Sequence, residues 1–146
     1  MYLDLENLFS DDQDISQVAA TYPSTNALDL TASPRAIGPG ATVKCMAQMT
    51  AALVGATATM NVRLICSAVT ALTTPTVIKE TSALVVGTFI AGWTVIFSAP
   101  VEAIPLRFLG FDYVIATATT TAGTITAGIL WDTQTSDSDW VAETGR

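Results

Sequence analysis

The sequence predicts one all-β domain: a β-sandwich, jelly roll or barrel of about six to eight short antiparallel strands. Three observations predict it. Apolar residues recur with period two, the spacing that places alternate side chains on one face of a strand. Thr is abundant beside Val and Ile, residue types that suit a pleated, half-buried surface. Pro23, Pro34, Pro39, Pro75, Pro100 and Pro105 fall between the alternating runs, where strands tolerate them.

Taken in order, the acidic start from Leu3 to Ile15 is the one stretch that invites a helix, and it is short. Within it, Ser10-Asp11-Asp12-Gln13 reads better as a loop or arm. The first clear alternation is Val43, Cys45, Ala47 and Met49 against Lys44, Met46, Gln48 and Thr50. The second sets Ala58, Met60, Val62, Leu64 and Cys66 against Thr57, Thr59, Asn61, Arg63 and Ser67, interrupted by Ile65. Ala51 to Ala56, with Gly55, could turn these two runs into a hairpin. Ala83 to Ala91 and Trp93 to Phe97 read as two strands separated by Gly92. Leu109, Phe111, Tyr113 and Ile115 form a further one-sided set, and Ile125, Ala127, Ile129 and Trp131 the last. The resulting organisation is an N-terminal arm over residues 1–20, a β domain over 21–133 and a polar C-terminal tail over 134–146.

At 146 residues and 15.3 kDa the chain is the size of one domain and long enough to build a core unaided. Charged residues make up 13%, about half the usual share, against 50% apolar. That composition excludes ordinary disorder. It also leaves little charge to cover an isolated monomer, so part of the surface is expected to be covered by something else. The formal net charge is −7, and the six cations, Arg35, Lys44, Arg63, Lys79, Arg107 and Arg146, are scattered singly. A nucleic-acid binder needs them clustered, so no direct nucleic-acid role is expected.

A mean hydropathy of +0.47 raises the question of a membrane. Thr81 to Val101 is 21 residues without a charge, and Cys45–Val62 and Tyr113–Trp131 are also charge-free. The first holds Gly87, Gly92, Pro100 and several Thr and Ser, the last is mostly Thr, Ala and Gly, and no basic cluster flanks either. The N-terminus carries Asp4 and Glu6 where a signal peptide needs cations. A soluble protein, neither membrane-bound nor exported by a recognisable signal, is the expectation.

A search for chemistry finds little. With no His anywhere, Ser-His-Asp and Cys-His arrangements cannot be assembled. Cys45 and Cys66 lie in apolar stretches and read as reduced core residues, a single bridge remaining open; no CxxC supports a metal. The acids concentrate at the two ends, with Asp29, Glu80, Glu102 and Asp112 between them. Asp112 falls on the polar side of its strand, where a solvated or ion-paired carboxylate is expected. Thr135-Ser136-Asp137-Ser138-Asp139 lacks the glycine and terminal Glu of a calcium loop. Gly38-Pro39-Gly40 places a proline where a phosphate loop needs an N–H. No catalytic residue, cofactor or metal site is expected, and an enzyme is disfavoured.

Interaction is better represented. The N-terminal stretch mixes Tyr2, Leu3, Leu5, Leu8, Phe9 and Ile15 with acids, so it could dock on a partner or fold back as an extra strand. The tail carries Trp140 among Ser and Asp, either a docking anchor or a residue packing locally. Leu3, Leu5, Leu8, Phe9, Ile15 and Trp140 are therefore the candidate interface residues.

Five stretches in order carry a resemblance. Leu8-Phe9-Ser10-Asp11-Asp12-Gln13 is followed by Ser24-Thr25-Asn26-Ala27-Leu28-Asp29-Leu30 and then Arg35-Ala36-Ile37-Gly38. Later, Arg107-Phe108-Leu109-Gly110-Phe111-Asp112-Tyr113 leads into Thr121-Ala122-Gly123-Thr124-Ile125-Thr126-Ala127-Gly128. This order resembles the capsid cement proteins of tailed bacteriophages typified by the Bordetella phage protein, over most of Met1 to Trp131. Ala36 departs from the acid usual in the turn, and the tail after Asp132 is longer than the family's.

The resemblance implies a jelly-roll decoration protein, made in the bacterial host cytoplasm and carried on the outer surface of the virion capsid. Such a protein bridges subunits of the major capsid protein and stabilises the shell against internal DNA pressure. Its partners would be that capsid protein and other copies of itself, as a dimer or trimer. The segment Leu3 to Ile15 is the expected shell contact, because its apolar residues would otherwise lie exposed. Two rivals differ in kind. A carbohydrate-binding β-sandwich on a virion surface would need clustered exposed aromatics, for which Tyr22, Trp93 and Trp140 are the candidates. An acid-pair glycosidase would need two carboxylates about 5–10 Å apart in a cleft.

Overall fold

The computed structural model describes residues 3–30, 42–100 and 103–130, with side chains from residue 8 onward. Trp140 and the tail lie outside the described residues. Ten strands run in chain order: β1 (Leu3–Asp14), β2 (Ala20–Pro23), β3 (Leu28–Asp29), β4 (Thr42–Gly55), β5 (Thr59–Ser67), β6 (Thr76–Glu80), β7 (Leu84–Val85), β8 (Thr94–Pro100), β9 (Phe108–Ala116) and β10 (Thr120–Leu130). A 3-10 turn, Val86–Thr88, precedes β8. No helix among the described residues is long and apolar enough to cross a membrane.

Two antiparallel sheets result, one in the order β1-β10-β4-β8 and the other β2-β9-β5-β6, with β3 added beside β9 and β7 beside β5. The chain passes from one sheet to the other at six of these nine connections. Leaving out the two-residue strands, the eight that remain fall in the orders 1-8-3-6 and 2-7-4-5. This is the wrapped order of a jelly roll. The one-sided sets read from the sequence supply the core: Leu109, Phe111 and Tyr113 of β9 are wholly buried, as are Cys45, Ala47 and Met49 of β4 and Met60, Val62 and Leu64 of β5. Phe111 sits at the centre, its ring 5.5 Å from Phe9, 6.1 Å from Phe97 and 6.4 Å from Tyr113.

One expectation is corrected. The hairpin between the first and second alternating runs does not form: β4 continues to Gly55 and pairs with β10 and β8, while β5 lies in the opposite sheet. Both runs have an apolar face, and those faces bury most area by meeting across the core rather than side by side. Gly55 marks the crossing, where a Cβ would lie 3.1 Å from the Thr119 carbonyl oxygen. Of the two alternatives given for the N-terminal stretch, docking on a partner or folding back as an extra strand, Leu3 to Asp14 takes the second, as an edge strand paired with β10.

The Ile65 that interrupts its alternation also has an explanation. It points away from the main core into a second cluster with Leu72 and Phe108, formed where the 68–75 loop folds over the outside of its sheet. Gly110, opposite Ile65 in register, leaves the space, since a Cβ there would lie 2.5 Å from Leu72 Cδ1.

Candidate interaction surfaces

Several ionisable groups among the described residues are engaged in structure. Asp29 and Arg107 form a bidentate pair at 2.9 and 2.6 Å. Asp112 is buried on the outer side of β9 and accepts from Arg63 Nη2 at 3.0 Å. Burial raises its carboxyl above the usual range, and Arg63 offsets only part of that. Cys45 and Cys66 are free and buried in facing sheets. Burial pushes the Cys45 thiol up to about 12 and raises that of Cys66 as well, which makes both poor nucleophiles. No group of His, Cys, Asp and Glu suited to a metal occurs among the described residues.

The residues singled out in β1 separate into three fates. Leu3 and Leu5 lie on the strand, with side chains outside the described residues. Phe9 and Ile15, expected as shell-contact residues, are 1% and 0% exposed within the main core. A hydrogen-bonded seam fixes them there. Ser10 Oγ donates to Gln13 Oε1 at 2.7 Å and lies 2.8 Å from the Tyr113 hydroxyl. The serine proton being committed, Tyr113 is the donor in that second bond. Asn26 N and Thr25 Oγ1 both donate to the Phe9 carbonyl, and Gln13 Nε2 donates to that of Pro23. The strand is thereby stitched to the opposite sheet and the loop before β3 over residues 9–13. Leu8 alone of the described set is half-buried on the outer face, opposite Gly128.

Exposed apolar surface is found elsewhere. The segments 15–19, 56–58, 86–93 and 117–119 meet at one end of the sandwich, and none contains a charged residue. Val18 (62% exposed), Val54 (50%), Val85 (64%) and Ile90 (63%) all project there. Leu53 N donates to Phe89 O and Gly92 N to Met49 O, so the 86–93 segment lies directly along the end of β4. Thr117 holds φ at 73°, a left-handed conformation uncommon for a β-branched residue, in the turn from β9 to β10. The opposite end carries the Asp29–Arg107 pair and the Leu72 clamp. Tyr22 and Trp93, candidates for a sugar platform, are partly buried against the core; Trp93 rests edge-on against Phe89 at 4.6 Å, and the Tyr22 hydroxyl donates to Val18 O.

Sequence reasoning missed Val18, Val54, Val85 and Ile90 because period two says which residues share a face but not which face is wet. The available signal was the three charge-free runs. Read as candidate membrane spans, they in fact supply three of the four segments at this end.

Topology and surface together define a jelly-roll sandwich with one uncharged, aliphatic end. More particularly, the chain belongs to the Bbp16 family, whose model matches residues 9–129, and the family's name suggests a Bordetella phage protein. The match runs from Phe9 to Ile129, both core residues, and leaves Trp140 and the tail outside it. No curated protein matches the chain.

Proposed function

We propose that this protein is a capsid cement protein, binding the outer surface of a phage head, bridging major capsid protein subunits and stabilising the shell against internal DNA pressure. The observation that carries the reading is the uncharged end. A surface of exposed Val and Ile with no charge in its four segments loses little on leaving water, and the adjoining carboxylate, Asp14 at the end of β1, is already engaged by Ser16 N and Oγ. In a chain with net charge −7 that is a surface suited to a protein contact. Membership of a phage-associated family favours a virion partner, and contacts of modest strength repeated over a lattice hold through avidity. The reading moves the shell contact away from Phe9 and Ile15, which the core consumes.

Co-sedimentation with expanded phage heads stripped of their decoration protein tests it. The purified chain is expected to bind saturably, at a fixed ratio to the major capsid protein, and to raise the temperature at which heads rupture. Failure to co-sediment with expanded heads would overturn the reading.

A further inference from the structure

The outer faces of the two sheets share a construction. On the sheet of β5 and β9, Ile65 faces outward opposite Gly110, and Leu72 of the 68–75 loop fills the space that the glycine leaves. On the sheet of β4 and β10, Met46 faces outward opposite Gly128, because Cys45 and Ala47 on either side of it enter the core. Leu130 shares that face, since Ile129 points inward. Met46 and Leu130 are nevertheless 3% and 6% exposed, and Gly128 beside them is buried. Neither side chain joins an apolar cluster of the described residues. An outward apolar patch as dry as the core needs a cover of its own, as Ile65 has in Leu72. Ile96, 46% exposed on β8, and half-buried Leu8 on β1 continue the patch to either side.

We infer that the C-terminal tail folds back over this face and seats Trp140 on the Met46–Gly128 patch beside Ile96. Position, composition and charge select this occupant. The tail begins where the patch lies, directly after Leu130, and Trp140 is ten residues further on. Ten residues span at most about 33 Å, whereas three strand spacings, from Leu8 to Ile96, cover about 14 Å. The intervening Thr133-Gln134-Thr135-Ser136-Asp137-Ser138-Asp139 is rich in Ser and Asp, which favour the turn needed to reverse the direction of β10.

An indole suits a slot left by a glycine and bordered by a methionine, whose thioether packs well against aromatic rings. The internal run outside the described residues, 31–41, holds no aromatic and one large aliphatic residue, Ile37. The tail carries Asp132, Asp137, Asp139 and Glu143 against Arg146. β4, β8 and β10 contain no acid, while exposed Asp11, Asp12 and Asp14 lie on β1 at one rim. An acidic segment therefore meets least repulsion over β10, β4 and β8. The contact lies within one chain and stands apart from the shell contact at the uncharged end.

Fluorine NMR on the full chain labelled with fluorotryptophan tests it, with Trp140→Phe assigning the resonance and circular dichroism checking the fold of each variant. The Trp140 resonance is expected away from that of the free amino acid and shielded from a soluble paramagnetic agent, at every protein concentration and without heads. Ile96→Asp should return it to the free position, since a carboxylate then sits under the ring among the tail's own acids. A double-mutant cycle supplies a second readout. Trp140→Ala should lower the folding equilibrium constant about tenfold, as loss of a largely buried side chain does. Ile96→Ala should cost stability in the native chain and far less once Trp140 is gone, because the two losses share one contact. A fully exposed Trp140, additive losses in the cycle, or shielding that appears only as protein concentration rises or only when heads are added would each overturn the inference. The last two outcomes would assign the patch to a second copy or to the shell instead.

Discussion

Ile15 and Val18 lie three residues apart, and the first is 0% exposed while the second is 62% exposed. They stand for two apolar regions of this chain. In β1 the apolar side chains of Phe9 and Ile15 pass inward, held by the Ser10–Tyr113 seam, and serve the protein's own stability. At the uncharged end Val18, Val54, Val85 and Ile90 have no such seam and remain in water. Both regions look alike in hydropathy. The difference lies in what each side chain meets: Phe9 and Ile15 enter the core between the two sheets, whereas Val54 and Val85, though on paired strands, project away from it, as do Val18 and Ile90 in the loops. Apolar side chains left outside in this way remain as surface for another molecule.

The strongest way to break this comparison is Phe9→Ala. If β1 is part of the core, removing a fully buried aromatic that packs on Phe111 should cost about 3–5 kcal/mol. The urea midpoint should fall with little change in slope. A loss below about 0.5 kcal/mol, the range of surface substitutions, would return β1 to the role of a detachable arm.

A smaller effect sharpens the comparison from the polar side. Asp112 is as buried as the core yet lies on an outer face, and its carboxyl is raised above the ordinary carboxylate range, by burial first. The folded protein therefore holds this proton more tightly than the unfolded chain does. The sign follows: between the unfolded value and the raised folded one, N carries more protons than U, so this group's contribution to stability falls as pH rises through that window. Asp112→Asn should flatten that part of the stability profile in acid-range urea titrations. Identical profiles for the two proteins would mean that Arg63 fully offsets the burial.

Much of the fold was legible before any coordinate. The β9 set from Leu109 to Ile115 is one-sided in sequence and wholly or almost wholly buried in space, because a strand covered on one face must alternate. What alternation could not supply was partner choice. Val43–Met49 and Thr57–Ala68 read as a hairpin because they are neighbours in sequence, whereas jelly-roll wrapping sends them to opposite sheets. Nor could it tell that Ile65 is buried on the outer side, since that depends on Leu72, seven residues away and placed by a loop. The interface residues were the least legible. Phe9 and Ile15 looked exposed only while β1 was taken as an arm, and Val85 and Ile90 became visible only when four distant loops were brought to one end.

The smallest expected stability effect is also the one that tests the division of labour most directly. Val85 and Ile90 are 64% and 63% exposed, so replacing either with Asp buries no charge and opens no cavity. Stability should stay within about 0.5 kcal/mol of the native chain. Binding to expanded heads should weaken by tenfold or more, because the introduced carboxylate must be desolvated at the contact with no cation in the four segments to receive it. Phe9→Ala should do the reverse: it lowers stability but, wherever the protein remains folded, leaves head affinity close to native. A crossed pattern of this kind separates a surface kept for a partner from apolar residues kept for the core. If Val85→Asp and Ile90→Asp instead bind heads as the native chain does, the uncharged end is not the shell contact, whatever the fold and the family suggest.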